Sequence, residues 1–340
     1  MSSSLRNFLI TRVLLTIPMI FILATLVFFV MRVLPGDPIN STLGPRVSEE
    51  QREIFRQQLG LDQPILVQYF DFLWRMVSLD FGDSMIGGNR PIRDELGEVF
   101  PATLELSIPA MAFTALFGVL SGAYAAQHRK KWIDYSLRLF SIAIYSVPIF
   151  WLGLVFIITF STALGLTPVA GRIDAQIGLT LERQTNLLVV DSIITGNWPA
   201  LGSVLHHLIL PSLTLGLALC GVFIRLTRVN MIETLQEDYI TAGRARGIRE
   251  RTLVYRHAMR NTFIPILTLI GLQFAILLAG AVLTETTFSW PGMGRYLVER
   301  IELRDYAAVQ AVIAVFAMLV AVTTLAMDIL YAFVDPRIRY

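Results

Sequence analysis

Six stretches of the chain run without Asp, Glu, Lys or Arg: 13–31, 106–127, 139–171, 192–224, 261–284 and 306–327. Each reaches the ~20 apolar residues that a helix needs to cross a bilayer, so the pattern predicts six spanning helices. The third and fourth runs exceed that need, and their far ends, GLTPVAGR and TGNWPALG, carry the Gly and Pro of loops. Their helices are expected to centre near Phe150 and Thr214. Pro109, Pro148 and Pro211 are expected to kink their helices. Gly118 and Gly122, a G-x-x-x-G in the second span, point to close helix packing. Outside the spans, residues 35–100 form a long connection. Ser48 and Gln51 resemble a capping box opening a helix that runs to about Leu59, where Gly60 can end it.

Composition agrees with a membrane protein: 54% of the 340 residues are hydrophobic, 16% are charged, and the mean hydropathy is +0.61. The first span follows a basic lead, MSSSLRNFLITR, as a signal peptide would. Its uncharged stretch is too long for one and lacks a small-residue cleavage site, so it is expected to remain as an anchor. Cys220 stands alone, which leaves no internal disulfide. With six spans, the two ends and the second and fourth loops share a side, and that side carries 16 of the 28 Lys and Arg but 7 of the 26 Asp and Glu. The positive-inside rule makes it cytoplasmic, both termini included.

The fourth loop concentrates this charge in DYITAGRARGIRERTLVYRHAMRNTFIP, residues 238–265. Asp238 is expected to cap a helix beginning Tyr239, Ile240, Thr241, Ala242, which Gly247 then interrupts. Ala242, Gly243 and Ala245 remove bulk from it, and a Gly costs ~1 kcal/mol of helix propensity relative to Ala. A solvated loop gains nothing from that, whereas close approach to another surface does. Arg244, Arg246, Arg249 and Arg251 add forked donors for carboxylates on a partner. A second helix is expected from about Arg249 to Met259, with Leu253, Val254 and Ala258 on one face and Pro265 opening the fifth span.

TAGRARG followed by HAMRNTFIP resembles the cytoplasmic loop of permease subunits of binding-protein-dependent ABC importers. Ala242, Gly243, Gly247 and Pro265 occupy positions matching the family's pattern. Thr241 stands where the general family has Glu, and Gly243 replaces its second Ala. The dipeptide, oligopeptide and nickel branch is similar to this chain in that respect. LPGDP at 34–38, LGLDQP at 59–64, YSVPIFWLG at 145–153, LTPVAGR at 166–172, HLILPSLTLG at 207–216, ETTFSWPGMGR at 285–295 and DPRIR at 335–339 resemble the B-type subunit of that branch. The resemblance implies an all-α, six-span permease of type I importer architecture, a first helix plus a five-helix core, with cytoplasmic coupling helices. It divides the chain into 1–100, the first helix and a structured outer segment, and 101–340, the core with its coupling loop at about 233–262. It further implies a C-type homologous permease partner, two cytoplasmic ABC ATPase domains, an extracytoplasmic solute-binding protein, and passage of di- or oligopeptides. Nickel complexes, glutathione and oligosaccharides remain alternatives.

The residues constrain that expectation. The only two lysines, Lys130 and Lys131, follow no G-x-x-x-x-G, so the chain has no P-loop. It is expected to bind no cofactor, with ATP and Mg on the partner ATPase subunits, and to make no contact with nucleic acid. Charge-free spans leave no proton relay, which disfavours a proton-coupled secondary transporter, though sodium coupling through backbone carbonyls would leave no such trace. A membrane enzyme would need a nucleophile, base or metal set that four scattered histidines and one cysteine do not supply. For the translocation path the candidates are Tyr145, Pro148, Gln273 and Glu285. Gln273 could face the pore or bond across a helix interface. Glu285 is a candidate for the outer gate, meeting the amino end of the cargo. The acidic outer residues, among them Glu95 and Asp305, are expected on a solvated face, with docking of a binding protein as the alternative.

Overall fold

A computed structural model describes residues 3–33, 48–58, 60–84, 90–303 and 305–334. The LPGDP segment, Leu59 and the DPRIR segment lie outside the described residues. Among the described residues all regular elements are helical, apart from an isolated antiparallel bridge between Asp83 and Pro91. Five helices are long and apolar enough to cross a membrane, and a bent pair supplies the sixth span.

Helix α1 (Ser3–Val33) lies along α13 (Tyr306–Val334), with Arg12 paired to Asp328 at 3.3 Å. The start of the first span thus meets the end of the last, which puts both helix ends on one side. Two shorter helices follow, α2 (Glu49–Gln58) and α3 (Ile65–Ser78). Ser48 caps α2 as its sequence requires, its Oγ accepting from the Gln51 N–H at 3.3 Å. Gly60, at φ +64°, ends the turn with its N–H on Gln57 and that of Leu61 on Arg56, the pairing of a Schellman motif. Ala24, Met76 and Ala314 join α1, α3 and α13 in one small apolar cluster.

The centre of the molecule is the packing of α4 (Ile92–Gln127) against α8 (Trp198–Thr234), which follows the short α7 (Leu188–Ile194). Glycines make it possible. A Cβ on Gly118 would lie 2.5 Å from Cβ of Phe223, and one on Gly122 2.7 Å from the Ile224 carbonyl oxygen. Gly216 returns the contact from α8, where a Cβ would meet the Ala110 oxygen at 2.9 Å. Pro109 and Pro211 stay inside these helices, which run on through them. Because α4 is continuous through residue 100, a division of the chain at that point falls within a helix.

The third span is not one kinked helix. Helix α5 (Trp132–Ser146) and α6 (Ile149–Phe156, continued as π-helix over Ile157–Ala163) meet at an angle of 100°. Val147 is extended, at ψ 126°, because the ring of the following proline crowds the helical conformation, and Pro148 becomes the N-cap of α6. Phe150, the expected centre, is therefore the second residue of a new helix, whereas Thr214 does sit mid-way along α8. Beyond α8 the chain forms α9 (Asp238–Ala245). It then enters α10 (Met259–Gly280) through Glu250–Thr252 and a π-helical stretch, Leu253–Ala258. Short helices α11 (Val282–Thr287) and α12 (Met293–Glu302) lead back to α13.

Candidate coupling face and translocation path

Helix α9 is anchored by one side and exposed on the other. Ile240 is fully buried with Leu253, Val254, Ala258, Met231 and Ala123 in an apolar cluster at the base of α4 and α8. Burying a side chain of this size is worth about 1.5–3 kcal/mol. Gly243 faces the same way, and a Cβ there would stand 2.7 Å from Leu253 Cδ2. The close approach that this glycine permits is thus made within the chain. On the opposite side Asp238, Thr241, Ala242 and Ala245 are exposed at positions i, i+3, i+4 and i+7, forming one face of small and short side chains.

Gly247 ends α9 at φ +74°. Its N–H bonds to Arg244 O at 2.9 Å and the N–H of Ile248 to Gly243 O at 3.1 Å, a second Schellman motif. No atom outside its immediate neighbours lies within 4 Å of a Cβ built on Gly247, so what it supplies is its left-handed backbone. Arg244 holds Glu250 with two bonds, 2.8 and 3.1 Å, and closes the turn. Arg246 and Arg249 are exposed and make no ion pair among the described residues. Tyr239 accepts from Asn261 Nδ2 at 2.9 Å, tying α9 to α10.

Three expectations here are corrected. Asp238 does not cap α9: it is the first helical residue, and Glu237 at the N-cap makes no side-chain bond to the helix. The second helix is not a separate docking element, since Glu250 through Gly280 runs on without leaving helical geometry. Pro265 accordingly lies inside α10 rather than at the start of the fifth span.

The end of the molecule remote from α9 holds a buried polar network that local sequence patterns do not reveal. Glu105, on α4, accepts from Arg172 and from the Val189 N–H at 2.7 Å, while Arg172 also donates to Asn186 O at 3.0 Å and lies 5.7 Å over the Trp290 ring. Trp290 is fully buried and donates to Ala102 O at 2.8 Å. Glu95 accepts from Tyr296 and from Arg300 at 2.8 Å. Ser84 donates to Asp305 at 2.6 Å, and Asp305 caps α13 through the Ala308 N–H. Glu95 and Asp305 are buried, so neither belongs to a solvated acidic face.

Glu285 is fully buried as well. Its carboxylate accepts from Thr103 Oγ1 at 2.8 Å and the Arg295 N–H at 2.9 Å, and its side chain packs where Gly292 and Gly294 leave no room for a Cβ. Burial pushes its carboxyl above the usual carboxylate range, against the pull of the Arg295, Thr103 and Gly294 bonds. In this conformation Glu285 ties the FSWPGMGR loop to α4 and exposes no oxygen to cargo. Tyr145 and Pro148 are exposed at the bend between α5 and α6. Gln273 is half-buried, and its amide has no hydrogen-bond partner among the described residues.

Comparison with known proteins follows this geometry. In solved structures, the inward-facing MetNI methionine ABC transporter has a chain similar in fold, with a TM-score of 0.52 at 14% identity, covering 71% of this chain and 96% of that one. In sequence the chain is 41% identical over 335 residues to the di/tripeptide transport system permease protein DppB of Pseudomonas aeruginosa, covering 98% of this chain and 99% of that protein. It is 38% identical over 334 residues to the glutathione transport system permease protein GsiC of Escherichia coli K12, with the same coverage. The N-terminal family of binding-protein-dependent transport system membrane components matches residues 5–106. Since the binding-protein-dependent transport system inner membrane component family matches residues 118–340, across the core helices and the exposed face of α9, the chain belongs to that family of transport permeases.

Proposed function

We propose that this chain forms half of the translocation pore of an ATP-driven importer for di- and oligopeptides, paired with a homologous C-type permease. The observation that carries the cargo class is the end-to-end similarity to a di/tripeptide permease, with 98% of this chain and 99% of that one aligned. Glutathione, named for the Escherichia coli relative, is itself a tripeptide and is the second reading. An extracytoplasmic solute-binding protein delivers the cargo, and of two ATPase domains one docks on the exposed face of α9 and the other on the partner permease. Hydrolysis takes place on those subunits, because this chain has no P-loop.

The same proposal orients the chain with α9 and both termini in the cytoplasm, where the arginines concentrate. ATP-driven closure of the two ATPases draws the paired docking faces together and shifts the pore between inward- and outward-facing states. A ligand can move such an equilibrium only through its different affinity for the two states. The experiment is gentle extraction of the tagged chain from its native membrane, with co-purifying proteins identified by mass spectrometry. A second permease and P-loop ATPases are the expected result. Recovery of this chain alone, in a detergent that preserves other complexes, would refute it. Peptide binding by the cognate binding protein then tests the cargo.

A further inference from the structure

Arg225 is an exposed arginine on α8 that makes no ion pair or hydrogen bond among the described residues. Its neighbours on the helix fix its depth. A Cβ on Gly221 would lie 2.6 Å from the Ser141 carbonyl oxygen, and Arg228 bonds to Asp134 at 2.9 Å, so α5 and α8 run antiparallel with a known register. Arg225 stands nearly one turn further from the Thr234 end of α8 than Arg228 does.

Helical side chains lean toward the N-terminus of their own helix. In an antiparallel pair, Arg225 and Tyr145 therefore lean toward each other, and both line one recess of about 160 Å³ together with Ser141, Ser146, Gly221 and Val222. A single water needs only about 10–15 Å³ of such space, so the recess has room for a small polar group. The same register sets Arg225 level with Leu137, five residues or about 7.5 Å along α5 from Trp132, and its lean carries the guanidinium further, toward Ser141. A guanidinium turned inward along the helix pair is costly against lipid, so one that lines a recess marks a water-filled path or a partner group.

The chemistry of the recess is one-sided. Ser141 and Ser146 donate to their own helix, to Arg138 O at 2.8 Å and Ile142 O at 2.9 Å. The Tyr145 hydroxyl, on a side chain 69% exposed, has no partner among the described residues, and no Asp or Glu lines the recess. What remains open is a forked cation beside a phenol donor, the complement of a carboxylate. We infer that Arg225 and Tyr145 form a station on the translocation path that receives the carboxylate of a peptide during its passage.

The inference rests on the peptide reading above, and the test separates the two. It measures uptake by the complete transporter in proteoliposomes at saturating binding protein, for a dipeptide and for the same dipeptide amidated at its C-terminus. Arg225→Gln is expected to slow the free acid by about tenfold to a hundredfold, removing any advantage over the amide, and Arg225→Lys to recover most of that loss. Tyr145→Phe should slow it several-fold. Peptide uptake that is indifferent to Arg225→Gln overturns the inference alone. Separation of the two permeases in Arg225→Gln, cured by Arg225→Lys, also overturns it, by assigning the arginine to a carboxylate across the subunit interface. Absence of uptake of either peptide by the unaltered transporter overturns the peptide reading and this inference with it.

Discussion

Arg172 and Glu105 form an ion pair whose side chains are 7% and 4% exposed, joining the loop after the third span to α4. Removing one member leaves the other charged and buried, which costs about 3–5 kcal/mol. Arg172→Ala and Glu105→Ala should each lower the thermal stability of the purified complex, and the double variant should lose less than their sum. Additive losses would show that the two residues act separately.

Between α4 and α8 the glycines leave no slack. Gly122→Leu places its Cβ 2.7 Å from a backbone oxygen and from Thr227 Cβ, neither of which can rotate away. The helices must separate, at a cost of about 1–3 kcal/mol or more. Reduced yield of folded protein in the membrane is expected for Gly122→Leu. Gly202→Leu, with open space around it, should be recovered at the normal level.

At the end of α9, Gly247→Val forces a β-branched residue to φ +74°. The strain is of order 1–3 kcal/mol. Because a Cβ on Gly247 would meet open space, Gly247→Asn, which tolerates the left-handed region, should retain most transport while Gly247→Val loses it. Equal loss in both variants would point instead to a partner surface lying directly on this residue.

Charge reversal at Arg246 and Arg249 should weaken association with the ATPase subunits, and the defect should grow smaller as salt screens the contact. Assembly measured from low to high ionic strength checks this. Assembly that ignores both the substitutions and salt would leave the arginines with a role in membrane topology only.

Glu285→Gln keeps the shape of a buried acceptor but turns a donor toward backbone N–H groups. It is expected to cost about 1–3 kcal/mol of stability in the FSWPGMGR loop without changing the preference among cargo peptides. A change in preference with unaltered stability would support the gate assignment.

Much of this was legible in the chain because it depends on neighbours in sequence. The apolar runs place five of the spans, Ser48 and Gly60 delimit α2, and Gly247 stops α9 where its backbone requires. The pairing of Gly118 and Gly122 with α8 was legible as a spacing, though not its partner. Other features depend on distant residues. Glu105 and Arg172 are 67 positions apart, and Glu95 and Arg300 are 205 apart, so each looks solvated in sequence. Asp238 looked like a cap because it precedes a helical pattern, but the helix starts one residue earlier than that pattern implies. The break at Pro148 was visible as a proline, while its angle of 100° depends on what α5 and α6 pack against.

That break bears on how the protein reaches its membrane. α5 has 15 residues, about 22 Å of helix, and falls short of the ~30 Å hydrocarbon core. The α6 half, from Ile149 through Ala163, is no longer. Neither half is a self-sufficient signal for lateral release into lipid, yet both rest against α8. Integration of the third segment is therefore expected to depend on the fourth, against which both halves pack. A ribosome stalled before Trp198 would hold a chain with one stable anchor fewer than its apolar runs suggest.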